Sequence, residues 1–122
     1  MLAEEKLIIE PYKNGSGDFP IKDFLENLPR KDFHYIVKKL SYFQGYSISQ
    51  LKNSRHLEIV RGHNEFWELK FHHISEYRAV CILRKNKIIL LEMFKGSGSR
   101  GNVTRYIEKC LERVKVWDKN YP

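Results

Sequence analysis

Basic side chains recur at strand spacing in the second half of the chain. Lys70 and His72 alternate with the apolar residues of segment 67–71, so a strand places both basic residues on one face and the apolar residues on the other. Arg78 follows on the next predicted strand, where it can share that face. A guanidinium donates two parallel hydrogen bonds to phosphate oxygens and keeps its charge at physiological pH. This spacing favours a face that binds phosphate.

The composition agrees with a polyanionic partner. The 122 residues carry a net charge of +7, and a positive surface attracts nucleic acid, an anionic membrane face or an acidic protein. A length of 122 residues and a hydrophobic content of 42% fit a single domain, residues 1–122. The longest apolar runs, such as 88–91, are far shorter than the roughly 20 residues of a membrane span. We therefore expect one domain that does not cross a membrane.

The two cysteines, Cys81 and Cys110, lack the spacing of a metal site, and no signal peptide precedes them. We expect both to be reduced, buried thiols in a cytoplasmic protein.

Hydrophobic periodicity predicts the order of the elements. Residues 7–9 read as a strand before Pro11, and helical spacing follows in residues 21–28, with a cap at Asp18 or a neighbour, and in residues 33–43. Period-two segments at 56–60, 67–72, 77–83 and 88–94 predict an antiparallel meander, and residues 103–117 predict a C-terminal helix. Segment 95–101 is glycine-rich and predicts a mobile basic loop. The class is α+β, with an N-terminal strand and a helical hairpin packed on one face of an antiparallel sheet.

Four segments in this order carry a family resemblance. They are FPIKDFLENLP (19–29), FWELK (66–70), EYRAV (76–80) and IILLEMFK (88–95). The last three resemble the series LWELR, YRVLY and IVLLHGFxKK of phage-type HigB toxins in the RelE/ParE superfamily, and the first resembles the first helix of that branch. Lys70 replaces the family's arginine, and a stretch beginning Lys95-Gly96 replaces its paired lysines.

The resemblance implies a RelE-like fold and an endoribonuclease that cuts messenger RNA, either on the ribosome or free, without a cofactor or metal. It also implies a cognate antitoxin, often with a helix-turn-helix domain, in a heteromeric toxin–antitoxin complex. The gyrase-inhibiting ParE branch offers a non-catalytic alternative. A degenerate toxin that acts only as a regulatory partner of the antitoxin is a further alternative, because the lysine pair is missing.

Cleavage of RNA without a metal needs a base for the 2′-OH, cations for the phosphate and an acid for the leaving oxygen. We predict that Arg78 clamps the phosphate and that Lys70 adds charge. His72 is a candidate for proton transfer, because imidazole titrates near neutral pH. The predicted catalytic residues are Lys70, Arg78, His72, Lys95 and Arg100, and the predicted RNA-binding residues are Arg61, His73, Lys38 and Lys39.

Ordinary structural roles compete with each of these assignments. Lys70 and Arg78 can pair with Glu68, Glu76 or Glu92 on neighbouring strands. His72 and His73 point to opposite faces of a continuing strand, which disfavours a shared metal site. Lysines on the second helix, such as Lys38, commonly serve solubility.

Overall fold

The computed structural model describes residues 7–71, 77–96 and 100–121, apart from the side chains of residues 100–104. Its elements, in chain order, are β1 (Ile8–Pro11), α1 (Pro20–Glu26), α2 (Arg30–Phe43), α3 (Ile48–Asn53), β2 (Leu57–Ile59), β3 (Trp67–Phe71), β4 (Tyr77–Arg84), β5 (Lys87–Lys95) and α4 (Arg100–Asn120). The prediction of an α+β protein with a C-terminal helix is confirmed.

The five strands form one sheet in the order β1-β5-β4-β3-β2. β2 to β5 form the antiparallel meander that the period-two segments predicted. β1 pairs with β5 in the parallel direction, so the sheet is mixed and the prediction of an antiparallel sheet was wrong at this edge. A two-residue spacing of apolar side chains indicates that a segment is extended. It does not indicate whether the neighbouring strand runs parallel or antiparallel.

Helices cover both faces of the sheet, whereas the sequence predicted helices on one face. One core cluster joins α1, α2 and α3 to side chains such as Leu69 and Ala79, and a second joins α4 to Val80, Ile82 and Leu91. β4 is buried from Tyr77 to Ile82 without alternation, as expected for a strand covered on both sides. The faces are called here the hairpin face and the α4 face.

The helices differ from the prediction in three places. Neither Asp18 nor a neighbour caps α1 with its side chain, because Phe19, which has no polar side-chain atom, holds the N-cap position before Pro20. α3 was not predicted, and its N-terminus carries a capping box between Ser47 and Gln50. α4 begins at Arg100, inside the segment predicted to be a loop.

The register of β4 with β5 shifts between Val80 and Cys81, which produces a β-bulge in β5 on the α4 face. Glu92 lies opposite Val80, and Leu90 lies opposite Cys81, so Leu91 is the additional residue. Leu91 packs in the α4 cluster and Glu92 pairs with two cations of α4, which places both on the α4 face. The bulge thus adds a carboxylate to that face.

Within the described part of the chain, no helix has the length and apolarity that a membrane span requires.

Candidate functional site

The register of the sheet aligns charged side chains on the α4 face in two adjacent rows. Lys70 of β3 lies opposite Arg78 of β4, which lies opposite Phe94 of β5. The next row contains Glu58 of β2 and Glu68 of β3. Since α4 packs on β4 and β5, the β2 and β3 part of this face lies beside the helix. We call Glu58, Glu68, Lys70 and Arg78 the charged patch.

Arg78 and Glu68 form a buried ion pair at the centre of the patch. The Arg78 Nη1 donates to Glu68 Oε1 at 2.5 Å, and their side chains are 10% and 11% exposed. Because both side chains are buried, water screens their charges weakly, and each charged group stabilises the other. The guanidinium is therefore fixed by its partner.

Lys70 and Glu58 form a second ion pair at the solvent-exposed side of the patch. The Lys70 Nζ donates to Glu58 Oε1 at 2.7 Å, and the Glu58 side chain is 45% exposed. The hydrogen bond from Lys70 is the largest cause that holds the pKa of Glu58 below its ordinary value, so this carboxyl is ionised at neutral pH. The Lys70 side chain is 19% exposed, so water screens this contact mainly from the Glu58 side.

An aromatic pair borders the patch on the side of α4. The rings of Phe94 and Tyr106 stack with their centroids 4.8 Å apart. Phe94 is buried, whereas Tyr106 is partly exposed and covers it from the first turns of α4. The patch therefore has an apolar wall next to its cations.

Ion pairs hold α4 against the sheet on the side of the Phe94–Tyr106 pair that is away from the charged patch. Glu92 contacts Lys109 at 3.1 Å and Arg113 at 3.6 Å, and Arg113 also donates to the Leu91 carbonyl. Arg84, near the end of β4, donates two hydrogen bonds to the Asp118 carboxylate, at 3.1 and 2.9 Å. These contacts place α4 over β4 and β5 and leave the charged patch beside it.

Of the predicted catalytic residues, the structure brings Lys70 and Arg78 together on one face, as the strand alternation predicted. Lys95 lies on the hairpin face, opposite Tyr77 in the register and with its Nζ 6.0 Å from the Tyr77 ring centroid. It therefore does not join the charged patch. His72 lies outside the described residues, and so does the side chain of Arg100.

The predicted RNA-binding residues are dispersed. Lys38 and Lys39 belong to α2 and lie on the hairpin side of the sheet, where the Lys39 Nζ sits 5.0 Å from the Tyr42 ring centroid. Arg61 is exposed in the turn between β2 and β3. His73 lies outside the described residues. Among the described residues, Lys38, Lys39 and Arg61 do not form one surface with Lys70 and Arg78.

The two carboxylates of the patch were missed as functional candidates. From the sequence, Glu68 was expected only as an ion-pair partner, and no role was predicted for Glu58. Strand alternation already placed Glu68 on the face of Lys70, and this was the available signal. The position of Glu58 depends on the register of β2, which no local pattern encodes.

Other parts of the described chain contain fewer groups suited to catalysis or to metal binding. No cluster of three or more His, Cys, Asp or Glu side chains among the described residues could hold a metal ion. Cys81 and Cys110 are buried and free, and burial raises the pKa of the Cys110 thiol to about 12, which disfavours the reactive thiolate. An apolar groove of about 340 Å³ between Phe19, Leu25 and Phe33 contains no predicted site residue.

Comparison with known proteins gave no relative: neither a family model nor a curated protein matches this chain.

Proposed function

We propose that this protein is the toxin of a toxin–antitoxin pair, an endoribonuclease that cuts messenger RNA on the ribosome without a metal and is neutralised by a cognate antitoxin. The observation that supports this function is the cross-strand pair of Lys70 and Arg78 on the part of the sheet beside α4. Two neighbouring cations of this kind suit a phosphodiester, whose transition state gathers additional negative charge.

Lys70 is the cation that can turn to the substrate. The Lys70 and Glu58 side chains are 19% and 45% exposed, so water reaches the contact from the Glu58 side and the pair contributes on the order of 1 kcal/mol. An RNA phosphate that arrives at the patch can replace Glu58 as the partner of Lys70, because it offers the cation another anion in return. Arg78 keeps its buried contact with Glu68 and lies directly opposite Lys70, where its guanidinium adjoins the same phosphate.

Glu58 then becomes available for proton transfer. The hydrogen bond from Lys70 is the main cause of the lowered pKa of Glu58, so loss of that bond raises the pKa and strengthens the carboxylate as a base. We propose that Glu58 accepts the 2′-OH proton. The sequence predicted His72 for proton transfer as either acid or base, and we propose it as the acid that protonates the leaving oxygen.

The antitoxin has to neutralise a strongly positive surface. With a net charge of +7, the chain attracts an acidic segment quickly, because complementary charge raises the association rate. We propose an antitoxin with a helix-turn-helix domain and an acidic or amphipathic segment that covers the charged patch, in a heteromeric complex.

Brief expression of the protein without a partner in a bacterial host, followed by mapping of new RNA 5′ ends, tests the proposal. The wild type should produce cuts inside translated messages, and Arg78→Lys and Lys70→Met should reduce them at least about tenfold. Arg84→Gln is the matched control, because Arg84 lies on the same strand and face and also forms an ion pair, but outside the patch. Cuts that persist in Arg78→Lys and Lys70→Met would contradict the proposal.

One observation favours a second candidate function. Both cations of the patch are neutralised by carboxylates in the structure, as expected for a protein that binds its partner and cuts nothing. This is the degenerate toxin that acts only as a regulatory partner of the antitoxin. Absence of both growth arrest and RNA cuts on expression would favour it, whereas growth arrest with intact RNA and inhibited gyrase would favour the ParE-like activity.

A further inference from the structure

The two ion pairs of the charged patch differ in the exposure of their carboxylates. Lys70 pairs with an exposed carboxylate, whereas Arg78 pairs with Glu68 in a site where both side chains are about 90% buried. In the register, Glu68 lies opposite Val80 and Arg78 lies opposite Phe94, and both of these apolar neighbours are themselves buried. The Glu68–Arg78 pair thus lies between these apolar residues on one side and the Lys70–Glu58 pair on the other.

A gain in stability does not account for this arrangement. Taking two charges out of water costs about as much as their attraction returns, and well-packed apolar residues at such positions are often equally stabilising. What the carboxylate does supply is orientation. An arginine side chain has many rotamers, and a short charge-assisted hydrogen bond in a weakly screened site selects one of them.

We propose that Glu68 is a positioning residue, which holds the Arg78 guanidinium in the orientation that receives the scissile phosphate. This inference rests on the proposed function, because it assigns Glu68 a part in that reaction. Glu68 does not contact the substrate and acts only through Arg78. Its effect therefore appears in the rate of the bound complex, since misplacement of a catalytic group by about 1 Å costs on the order of 100-fold in rate.

The test measures steady-state cleavage on ribosomes programmed with a defined message, at a temperature where each variant is folded by circular dichroism. Glu68→Gln keeps the shape of the side chain and removes its charge, so kcat should fall about 100-fold while KM stays within about threefold. Glu68→Asp retains the charge and should recover part of the loss.

A matched control and a double variant separate positioning from a structural role. Glu92→Gln is the control, because Glu92 lies on the same face, is similarly buried and also loses ion pairs, but to α4. Its kcat should stay close to that of the wild type. In the Arg78→Lys background, Glu68→Gln should produce no further loss, because the residue through which it acts has already been replaced.

The outcomes also distinguish this inference from the function on which it rests. A wild-type kcat in folded Glu68→Gln, together with an inactive Arg78→Lys, would overturn the positioning role and leave the nuclease intact. An additional loss from Glu68→Gln in the Arg78→Lys background would overturn it as well, because Glu68 would then act independently. A wild-type protein that does not cleave would overturn both proposals.

Discussion

Removing one side of the Glu68–Arg78 pair should cost much more stability than removing both. Arg78→Met deletes the guanidinium and leaves the Glu68 carboxyl group without this cation at 11% side-chain exposure. A buried charge that loses its partner costs about 3–5 kcal/mol in the free energy of unfolding. The double variant Arg78→Met with Glu68→Leu buries apolar groups of similar size and should return to within about 1.5 kcal/mol of the wild type.

Urea unfolding of the purified variants, followed by circular dichroism, measures these differences. Arg84→Met provides the control, because the Arg84 and Asp118 side chains are 38% and 48% exposed and water screens their contact. It should cost less than about 1 kcal/mol. A cost of Arg78→Met as small as that of Arg84→Met would refute the reasoning, since it would mean that water reaches and screens the Glu68 carboxylate. A double variant as unstable as the single one would refute it too.

Two further predictions concern the hairpin side of the sheet. Ser47→Ala removes the hydroxyl that accepts the Gln50 backbone N–H at 3.1 Å and should cost about 1 kcal/mol in urea unfolding; an unchanged midpoint would show that α3 does not depend on its cap. Burial and the hydrogen bond to Asp32 raise the pKa of Tyr77 from 10.0 to about 12, so the stability it contributes is fully present below pH 10 and is lost as the pH rises towards 12. Tyr77→Phe should abolish that loss, and equal slopes of stability against pH in both proteins would contradict the assignment.

The sequence predicted the strands of the meander well, because the alternation of side-chain direction along a strand is a local property of the backbone. Apolar and polar residues alternate in the sequence over 67–72, and the described part of this segment forms β3 (Trp67–Phe71). The prediction that Lys70 and Arg78 share a face was confirmed for the same reason: side-chain direction alternates along a strand, and antiparallel neighbours keep the same face in register.

The helix α3, the placement of α4 and the pairing of β1 were harder to predict. α3 has six residues, too few for a periodic pattern, and only the serine and glutamine of its capping box indicated it. The placement of α4 was also missed, because an amphipathic helix reports that one side is buried but not which face of the sheet buries it. The parallel pairing of β1 with β5 depends in the same way on how distant segments meet.

The sequence by itself determined a basic, single-sheet α+β chain and the alternation that brings Lys70 and Arg78 to one face. Only the tertiary structure decided what surrounds these cations. Glu58 reaches Lys70 through the register of β2, and Glu68 becomes a buried partner because Arg78 packs against it. Lys95 is directed away to the other face by the pairing of β4 with β5. The physical reason is that face and period are properties of the local backbone, whereas burial and charge pairing depend on the packing of residues far apart in the chain.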